Sequence, residues 1–499
     1  METLVVSRIR SGKMRFSMLI CVVFSLLILV FISNYILPSV YAQEASTWMP
    51  PLPISRGILD DAGRPIDSIA PTLVVDSTGI VHAFWATIQT HETGSYLYYA
   101  RWDGTTWSPP LDILYSSSGN YQLPQAAIDQ DDQIHLVWVS GGLLLYSQTA
   151  TTETISARTM SEPIRVIDEL ATNASIAVAP DGNIHIVYTT TDVGRNITHT
   201  VFHIWSPDGE TWFSPIEIGI VRSEINHVVP RLDIDERNRI HIVFGENGAG
   251  DAVYYSRSSD NGKSWSKLLT IASRDERYFG TYGPAWINVF AIGRDEIHIV
   301  WDGIPAGQRW HQWSDDGGET WKPQVQISPE LVGLTGTNAM GVDSTGRLHL
   351  FTMGPAYASW WNGTWSSLDP ILRQGWDWDG EGPALAVNGN QIVIAWWNRE
   401  PDAIEIWSSS AQIDTPTKMQ NLQVSEITRP TSTSTPTPQP TQSLGTNDLN
   451  TSSIELGKNQ FENQPYQGKP WFSIFAGVLS TIGFIAILII IHAKRKSLG

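Results

Sequence analysis

Cysteine is almost absent from this sequence of 499 residues, which contains only Cys21. Cys21 lies in an apolar segment near the N-terminus that has the features of a cleaved leader. The mature chain would then have no thiol. This excludes disulfides, zinc sites with cysteine ligands, iron–sulfur clusters and cysteine nucleophiles.

Charged residues are also scarce, at 16% of the chain against about 25% in a typical soluble domain. The formal net charge is −18 and no basic block occurs outside the two ends, so we predict no nucleic-acid partner. In contrast, the sequence has 22 tryptophans and 40 glycines. This combination is not typical of a disordered chain and favours many short strands joined by tight turns.

The N-terminus carries four basic residues in its first 15 positions, followed by an apolar run over 16–37. Val40, Tyr41 and Ala42 then provide small or aliphatic residues at positions −3 and −1 of a cleavage site. Residues 1–42 are therefore predicted to be a signal peptide that is cut after Ala42. The alternative is an uncleaved signal anchor, because the apolar run is long.

A second apolar run, 471–491, contains no charged residue and as a helix would span about 30 Å, enough for the core of a bilayer. Lys494, Arg495 and Lys496 follow it. Because positive residues stay in the cytoplasm, the sequence predicts a single-pass protein of the cell membrane with a basic cytoplasmic tail, 492–499. Residues 414–470 are rich in threonine and proline, which predicts a disordered extracellular stalk.

Residues 43–413 repeat one pattern, in which a short apolar strand with a histidine recurs about every 50 residues. The histidines of the six copies are His82, His135, His185, His241, His298 and His349. Each copy follows an apolar strand, and further strands come after it, of which the third is aromatic-rich, as in 96–100 and 252–256, and the fourth starts after a tryptophan, as in 212–218 and 321–327. Four strands in about 50 residues are typical of a β-propeller blade. The predicted fold is therefore all-β, with one propeller as a single domain.

The number of blades follows from the two ends of this segment. A seventh copy, 392–396, has valine in place of histidine and lacks a strand led by tryptophan. Residues 47–55, near the mature N-terminus, match the tryptophan-led strand at 106–114. The N-terminal strand would thus complete the last blade and remove the open sheet edges. Seven four-stranded blades are favoured over six.

Two turns between the third and fourth strands, 258–265 and 314–321, fit the pattern Ser-x-Asp-x-Gly-x-Thr/Ser-Trp, and 206–212 is one residue shorter. They resemble the Asp-box (bacterial neuraminidase) repeat of the sialidase superfamily. The resemblance implies a structural role for the turns, on the face away from the ligand. The residues it marks are Asp208, Asp260, Gly262, Trp265, Asp316, Gly318 and Trp321.

Six histidines at equivalent positions of six blades are spread around a ring and cannot converge on one metal ion. We expect each to be a buried imidazole that bonds to a neighbouring strand or turn. The sequence has no spacing of the EF-hand type, and neither a metal site nor a cofactor is predicted.

Ligands of propellers usually bind at the mouth of the channel, where loops join successive blades and join the second strand to the third. Tyrosine, tryptophan, arginine and carboxylates around one mouth would suit a sugar or an anionic ligand, although solvated loop charge is the alternative for most of them. The candidate ligand-binding residues are Arg56, Asp61, Arg231, Glu246, Tyr282, Asp302, Arg309, Trp376, Asp377 and Glu381.

Two functions of different classes follow. The favoured one is a non-catalytic head that binds an extracellular glycan, cell-wall polymer or protein. The alternative, implied by the resemblance, is an exo-sialidase with an arginine cluster, a Tyr–Glu nucleophile pair and an acid/base aspartate. The Arg-Ile-Pro motif of that family is missing, since its nearest counterpart is Ser55-Arg56-Gly57, and catalytic residues are not assigned. A purely structural surface protein is a third interpretation.

Overall fold

The computed structural model describes residues 48–413, except for 89–93, 117–123, 153, 193–196, 223–227, 247–250, 275–283, 304–307, 329–335, 355 and 371–380. The chain divides into two compact units, Met1–Val424 and Ser425–Gly499, and all described residues belong to the first. The predicted signal peptide, stalk, transmembrane helix and tail lie outside the described residues. Within the described part, no helix has the length and apolar character needed to cross a bilayer.

The described strands form seven antiparallel sheets, which are the blades of the propeller. A short strand β1 (Leu52–Pro53) comes first. Blades 1 to 3 contain β2 (Asp67–Val75), β3 (Val81–Ile88), β4 (Ser95–Trp102), β5 (Leu111–Ser116); β6 (Gln125–Ile128), β7 (Gln133–Ser140), β8 (Leu143–Ala150), β9 (Ile164–Arg165); and β10 (Asn173–Val178), β11 (Ile184–Asp192), β12 (Thr198–Ser206), β13 (Ile216–Arg222).

Blades 4 to 7 continue the same order. Their strands are β14 (Val228–Ile234), β15 (Ile240–Glu246), β16 (Ala252–Ser258), β17 (Leu269–Ser273); β18 (Ala285–Ile292), β19 (Glu296–Gly303), β20 (Gln308–Ser314), β21 (Val325–Ser328); β22 (Asn338–Val342), β23 (Leu348–Thr352), β24 (Ala356–Trp361), β25 (Thr364–Trp365), β26 (Asp369–Pro370); and β27 (Glu381–Asn388), β28 (Gln391–Arg399), β29 (Ile404–Gln412). In blade 6, both β25 and β26 pair with β24.

The N-terminal strand closes the ring. Strand β1 pairs with β29, with Leu52 opposite Ser408 and Pro53 opposite Trp407, so that it forms the fourth strand of blade 7. The backbone N–H of Met49 also donates to the carbonyl of Ser410 at 2.8 Å. The prediction of seven blades closed by the N-terminal strand is therefore confirmed. Closure leaves no blade without its outer strand, as a ring of sheets requires.

The hydrophobic core lies between consecutive blades. One cluster joins Val137 of blade 2 to Ile184 of blade 3, and another joins Ala395 of blade 7 to Trp85 of blade 1. The second strands are buried on both faces, as in β15, where every residue is buried. Because each fully buried aliphatic or aromatic side chain contributes about 1.5–3 kcal/mol, the blades stabilise one another and the ring is one cooperative unit.

The repeated histidines bond to neighbouring elements of their own blades. In blade 4, His241 Nδ1 lies 2.8 Å from the Tyr255 hydroxyl and Nε2 lies 3.4 Å from Asp235. The same Asp–His–Tyr set recurs as Asp76–His82–Tyr99, Asp129–His135–Tyr146 and Asp343–His349–Tyr357. Blades 3 and 5 place a second histidine where the others have tyrosine, in the pairs His185–His203 and His298–His311. The expectation of buried imidazoles that bond to a strand or turn is confirmed.

The turn after the third strand of a blade contacts the histidine network of the preceding blade. Asp260 accepts hydrogen bonds from the backbone N–H and the hydroxyl of Ser264, and Gly262 has a φ of +78°. The indole N–H of Trp265 donates to the Gly262 carbonyl at 3.1 Å, and its ring packs edge-on against His203 of blade 3. Each turn of this kind thus holds the preceding blade.

The other two turns are built in the same way. Asp316 accepts from the backbone N–H of Thr320 at 2.9 Å, and Trp321 packs edge-on against Tyr255. Asp208 accepts from the backbone N–H of Thr211 at 2.7 Å. In both turns the residues with a positive φ are glycines, which are Gly317 and Gly318 in the first and Gly209 in the second.

Candidate functional site

The first strands of all seven blades surround a central channel with a volume of about 430 Å3. Ligand pockets typically have about 300–1,000 Å3. Alternate residues of a strand point to one face, so alternate positions of the first strands, such as Arg231 and Asp233, line the channel. Its wall is polar at the positions Gln125, Asn173, Arg231, Asp233, Asn288 and Asn338.

Arg231 is a half-buried cation in the channel wall. It lies on β14 opposite Val243, in a strand that begins with Val228 opposite Glu246. Its Nη1 donates to the carbonyl of Pro230 at 2.9 Å, and it forms no ion pair with any carboxylate of the described residues. Burial lowers its pKa to about 10, so the guanidinium is charged at neutral pH. A partly buried charge without a counter-charge is unfavourable, and an anionic ligand would compensate it.

Asp233 lies two residues farther along the same strand, opposite His241. Its carboxylate accepts hydrogen bonds from the backbone N–H of Ala291 at 2.8 Å and of Ile234 at 2.9 Å. Burial raises its pKa to about 6, and these two donors oppose the rise. The hydrogen bond from Ala291 to Asp233 thus links blade 5 to blade 4.

Trp286 holds a strained position next to Arg231. Its φ is +55°, which is rare for a bulky side chain, and it lies in a bulge of β18 between Ala285 and Asn288. Conformations of this kind cost about 1–3 kcal/mol and cluster at functional sites. Its backbone carbonyl accepts a hydrogen bond from Asn338 Nδ2 at 3.0 Å. The bulge thus places Trp286 in the lining of the channel.

Blade 6 contributes two polar groups beside Trp286. Asn338 is 8% exposed, and its backbone carbonyl accepts from Asn288 Nδ2 at 3.1 Å. The Asn338 Oδ1 and the Thr337 hydroxyl are buried and have no hydrogen-bond partner among the described residues. Buried polar atoms of folded proteins are nearly always paired, so these two groups are exceptions in the wall of the channel.

Similar bulges occur in two other blades that line the channel. Ala70 of blade 1 has a φ of +54° and Gly382 of blade 7 a φ of +63°, each at a register shift between the first and second strands. A Cβ at Gly382 would lie 2.9 Å from Trp397 Cδ1. The glycine therefore lets the Trp397 indole approach the channel wall.

Two of the predicted residues meet at one place. Glu246, 5% exposed, lines a small recess of the channel together with Arg231, Trp286 and Asn338. Its Oε1 accepts from the backbone N–H of Asp251 at 3.3 Å.

Other predicted residues lie elsewhere. Arg56 forms a two-fold ion pair with Glu405, at 2.7 and 3.0 Å, and does not line the channel. Asp61 is exposed in the loop after β1 and also lies away from the channel lining.

Asp302 and Arg309 form a buried pair of their own. Asp302 Oδ1 lies 3.2 Å from Arg309 Nε, and each residue is 1% exposed. Burial raises the pKa of Asp302 to about 6, while Arg309 and the Gly336 N–H oppose this rise. Arg309 Nη2 donates to the carbonyl of Met353 in blade 6. The pair links blades 5 and 6 and is not part of the channel lining.

The remaining candidates are not described in full. Tyr282, Trp376 and Asp377 lie outside the described residues, and of Glu381 only the backbone is described, opposite Trp397 in blade 7.

Sequence reasoning missed Trp286, Thr337, Asn338 and Asp233. It searched the loops, whereas these residues belong to the first strands or directly precede one. The available signal was a polar residue at alternate positions of each apolar strand that comes before a histidine strand.

The Asp-containing turns lie at the opposite end of the blades from Glu246. Ser258, which begins the turn with Asp260, pairs with Ile240 at the start of β15, and Glu246 is at its other end. The candidate site and these turns are thus separated by the length of a strand.

No protein-family model and no curated protein matches the sequence. Solved structures with a similar fold include a protein of unknown function from Dyadobacter fermentans, with 14% identity over 73% of this chain and 98% of that one and a TM-score of 0.47. An ulvan lyase bound to a GlcA–Rha3S unit has 13% identity over 68% and 95%, with a TM-score of 0.48. A Trypanosoma rangeli sialidase has 12% identity over 72% and 60%, with a TM-score of 0.44.

Proposed function

We propose that this protein is a cell-surface propeller that binds an extracellular ligand, a glycan in particular, in its central channel. A signal peptide (1–42) directs export, a stalk (414–470) holds the head away from the membrane, and a helix (471–491) anchors it with the tail inside. The turns around Asp208, Asp260 and Asp316 are Asp-box repeats in this proposal and act in the structure of the ring.

The observation that carries the proposal is Arg231, a charged guanidinium that lines the channel without a carboxylate partner among the described residues. Around it are side-chain amides and an indole, the groups that bind the hydroxyls and the apolar face of a sugar. Hydroxyl groups of a glycan can pair with amides on several sides of the channel, where a purely apolar ligand would leave those amides unpaired.

The same lining favours binding over sialidase catalysis. The alternative requires several arginines around one carboxylate and a tyrosine nucleophile with its glutamate. Among the described lining residues there is one arginine, and none is a tyrosine. The alternative function is an exo-sialidase activity on terminal sialic acid or a related sugar.

The test uses the purified ectodomain, residues 43–470, on a glycan array. We expect saturable binding to a subset of glycans, with loss of tenfold or more in affinity for Arg231→Gln, because a charge-assisted hydrogen bond contributes about 1.5–3 kcal/mol. Arg237→Gln is the matched control, since Arg237 lies in the turn after β14, pairs there with Asp295 and does not line the channel.

Two outcomes would overturn the proposal. Equal binding by the Arg231→Gln and Arg237→Gln variants would place the ligand outside the channel. Release of the fluorophore from a fluorogenic sialoside by the ectodomain would establish the hydrolase instead.

A further inference from the structure

Asp302 and Arg309 form a buried ion pair beside the channel, although neither residue lines it. We propose that this pair positions the blade 6 wall of the channel, residues 337–340, for ligand binding. The inference rests on the proposed function, because it assigns positioning residues to the binding site proposed above. These residues act through the wall and make no contact with the ligand themselves.

The sheet of blade 6 holds this wall only in part. Residues 337–340 all line the channel. The first strand of the blade, β22, has five residues, whereas β2 has nine and β18 and β27 have eight each. Its first residue, Asn338, already pairs with the last residue of β23, Thr352. The chain that precedes Asn338 therefore depends on bonds from outside this ladder.

The ion pair supplies those bonds from blade 5. Asp302 Oδ2 accepts a hydrogen bond from the backbone N–H of Gly336 at 2.7 Å, and Arg309 Nη2 donates to the carbonyl of Met353 at 3.2 Å. The N–H of Met353 in turn donates to the carbonyl of Thr337 at 3.1 Å. The pair thus holds both the residue that precedes Thr337 and the residue that bonds to it.

A close approach at Gly336 adds to this arrangement. A Cβ at Gly336 would overlap the Met353 side chain, so the two backbones are packed directly on each other. Because Asp302 binds one of them and Arg309 the other, a shift of either partner moves the start of the wall.

Trp286 closes a circuit of contacts between blades 5 and 6. Asp302 lies opposite Ala285 in the pairing of β18 with β19. The next residue, Trp286, accepts a hydrogen bond from Asn338 Nδ2 at its carbonyl. The wall is therefore bound to blade 5 at two places, at Gly336 through Asp302 and at Asn338 through Trp286. A closed network of this kind is more rigid than either contact alone.

The location of the pair favours a role in geometry over one in stability. Each residue is 1% exposed, and the loss of hydration of two buried charges offsets much of their attraction. Replacement of such a pair by neutral side chains is often tolerated by the fold. The affinity of a binding site, in contrast, depends on walls that are held in place before the ligand arrives.

The test compares two double variants of the ectodomain that differ in one acceptor group. Asp302→Asn with Arg309→Gln removes both charges and keeps an oxygen for the Gly336 N–H. Asp302→Ala with Arg309→Gln removes that oxygen as well. Gln324→Ala is the control, because it removes a bond between blades 5 and 4, from Gln324 Nε2 to the Ile271 carbonyl, away from the channel lining.

Hydrogen exchange of the peptide 336–342, measured by mass spectrometry, reports on the wall without a ligand. We expect exchange at least tenfold faster in the Asp302→Ala double variant than in the Asp302→Asn one, because its Gly336 N–H has lost the acceptor. On the glycan array, the same variant should bind at least fivefold more weakly at a temperature where melting curves show both proteins folded. Gln324→Ala should match the unmodified ectodomain in both measurements.

Each contrary result has its own meaning. Equal exchange in the two double variants would overturn the inference, whether or not a glycan binds. Faster exchange with equal glycan binding would overturn the positioning role and leave the pair a structural contact. Absence of glycan binding by the unmodified ectodomain, with the expected exchange, would overturn the proposed function and leave the pair as the support of the wall.

A single variant decides the case in which the Asp302→Ala double variant does not fold. Arg309→Gln alone removes the bond to Met353 and keeps Asp302 as the acceptor for Gly336. We expect faster exchange of the peptide 336–342 in this variant. Exchange equal to that of the unmodified ectodomain would contradict the inference.

Discussion

Gly262 shows how a single residue joins two blades. It has a φ of +78°, and a Cβ at this position would overlap the His203 ring of the preceding blade. Side chains other than hydrogen are thus excluded both by backbone conformation and by the close approach of the imidazole. The sequence pattern marked this glycine as structural, and the contact with His203 supplies the reason.

We predict that Gly262→Ala destabilises the ring more than Gly182→Ala does. Gly182 has a similar φ of +87° but no atom within 4 Å of the position of its Cβ. Both variants incur about 1–2 kcal/mol for the left-handed conformation, and Gly262→Ala adds about 1–3 kcal/mol for overpacking. Urea denaturation of the two ectodomains measures the difference. Equal losses would mean that the contact with His203 relaxes without cost.

At the same scale, the sequence predicted part of the site. Arg231 and Glu246 were identified because they were assigned to the loops expected at the mouth of the channel, where ligands of propellers usually bind. Trp286 was missed because its position depends on a β-bulge, and a bulge moves residues between the faces of a strand without leaving a clear sequence signal. The unpartnered oxygen of Asn338 is visible only in three dimensions.

Strand β1 is the element on which the closed ring depends. It pairs with β29, and the Trp48 indole that precedes it packs edge-on against Tyr357 of blade 6, with ring centroids 5.4 Å apart. Trp48 therefore occupies the position that Trp265 and Trp321 hold in other blades. The sequence predicted this element because the seventh copy lacks a strand led by tryptophan, and residues 47–55 match such a strand.

We predict that Trp48→Ala lowers the free energy of unfolding by about 2–4 kcal/mol, because it removes an aromatic side chain that packs on the core between blades 6 and 7. Trp361→Ala is the control, since Trp361 is 42% exposed and its loss should cost less than about 1 kcal/mol. Chemical denaturation measures both. If Trp48→Ala were as mild as the control, blade 7 would not need its fourth strand for stability.

At the scale of the whole molecule, the histidine networks link stability to pH. Burial lowers the pKa of seven histidines, to about 4 for His185. An unfolded chain would protonate these side chains near pH 6.5, so stability falls as the pH drops from about 6.5 towards 4. Asp233 and Asp302 act in the opposite direction, because their raised pKa of about 6 favours the folded state below pH 6.

Seven histidines outweigh two carboxyls, so we predict that the melting temperature of the ectodomain decreases by roughly 5–10 °C between pH 7.5 and 5.0. The double variant His203→Tyr, His311→Tyr should fold and show a smaller decrease. Four other blades already have tyrosine at this position, and the variant removes two groups whose pKa values burial lowers strongly. An unchanged pH dependence in the double variant would contradict this origin of the effect.

The central channel is formed jointly by the first strands of all seven blades. The sequence of a single repeat therefore does not predict it. Its role as the ligand site is tested most directly by a crystal structure of the ectodomain with the oligosaccharide that binds it most tightly. The account predicts density for a sugar in the channel, in contact with Arg231. Sugar density only outside the channel, at the outer strands or at the Asp-containing turns, would contradict it.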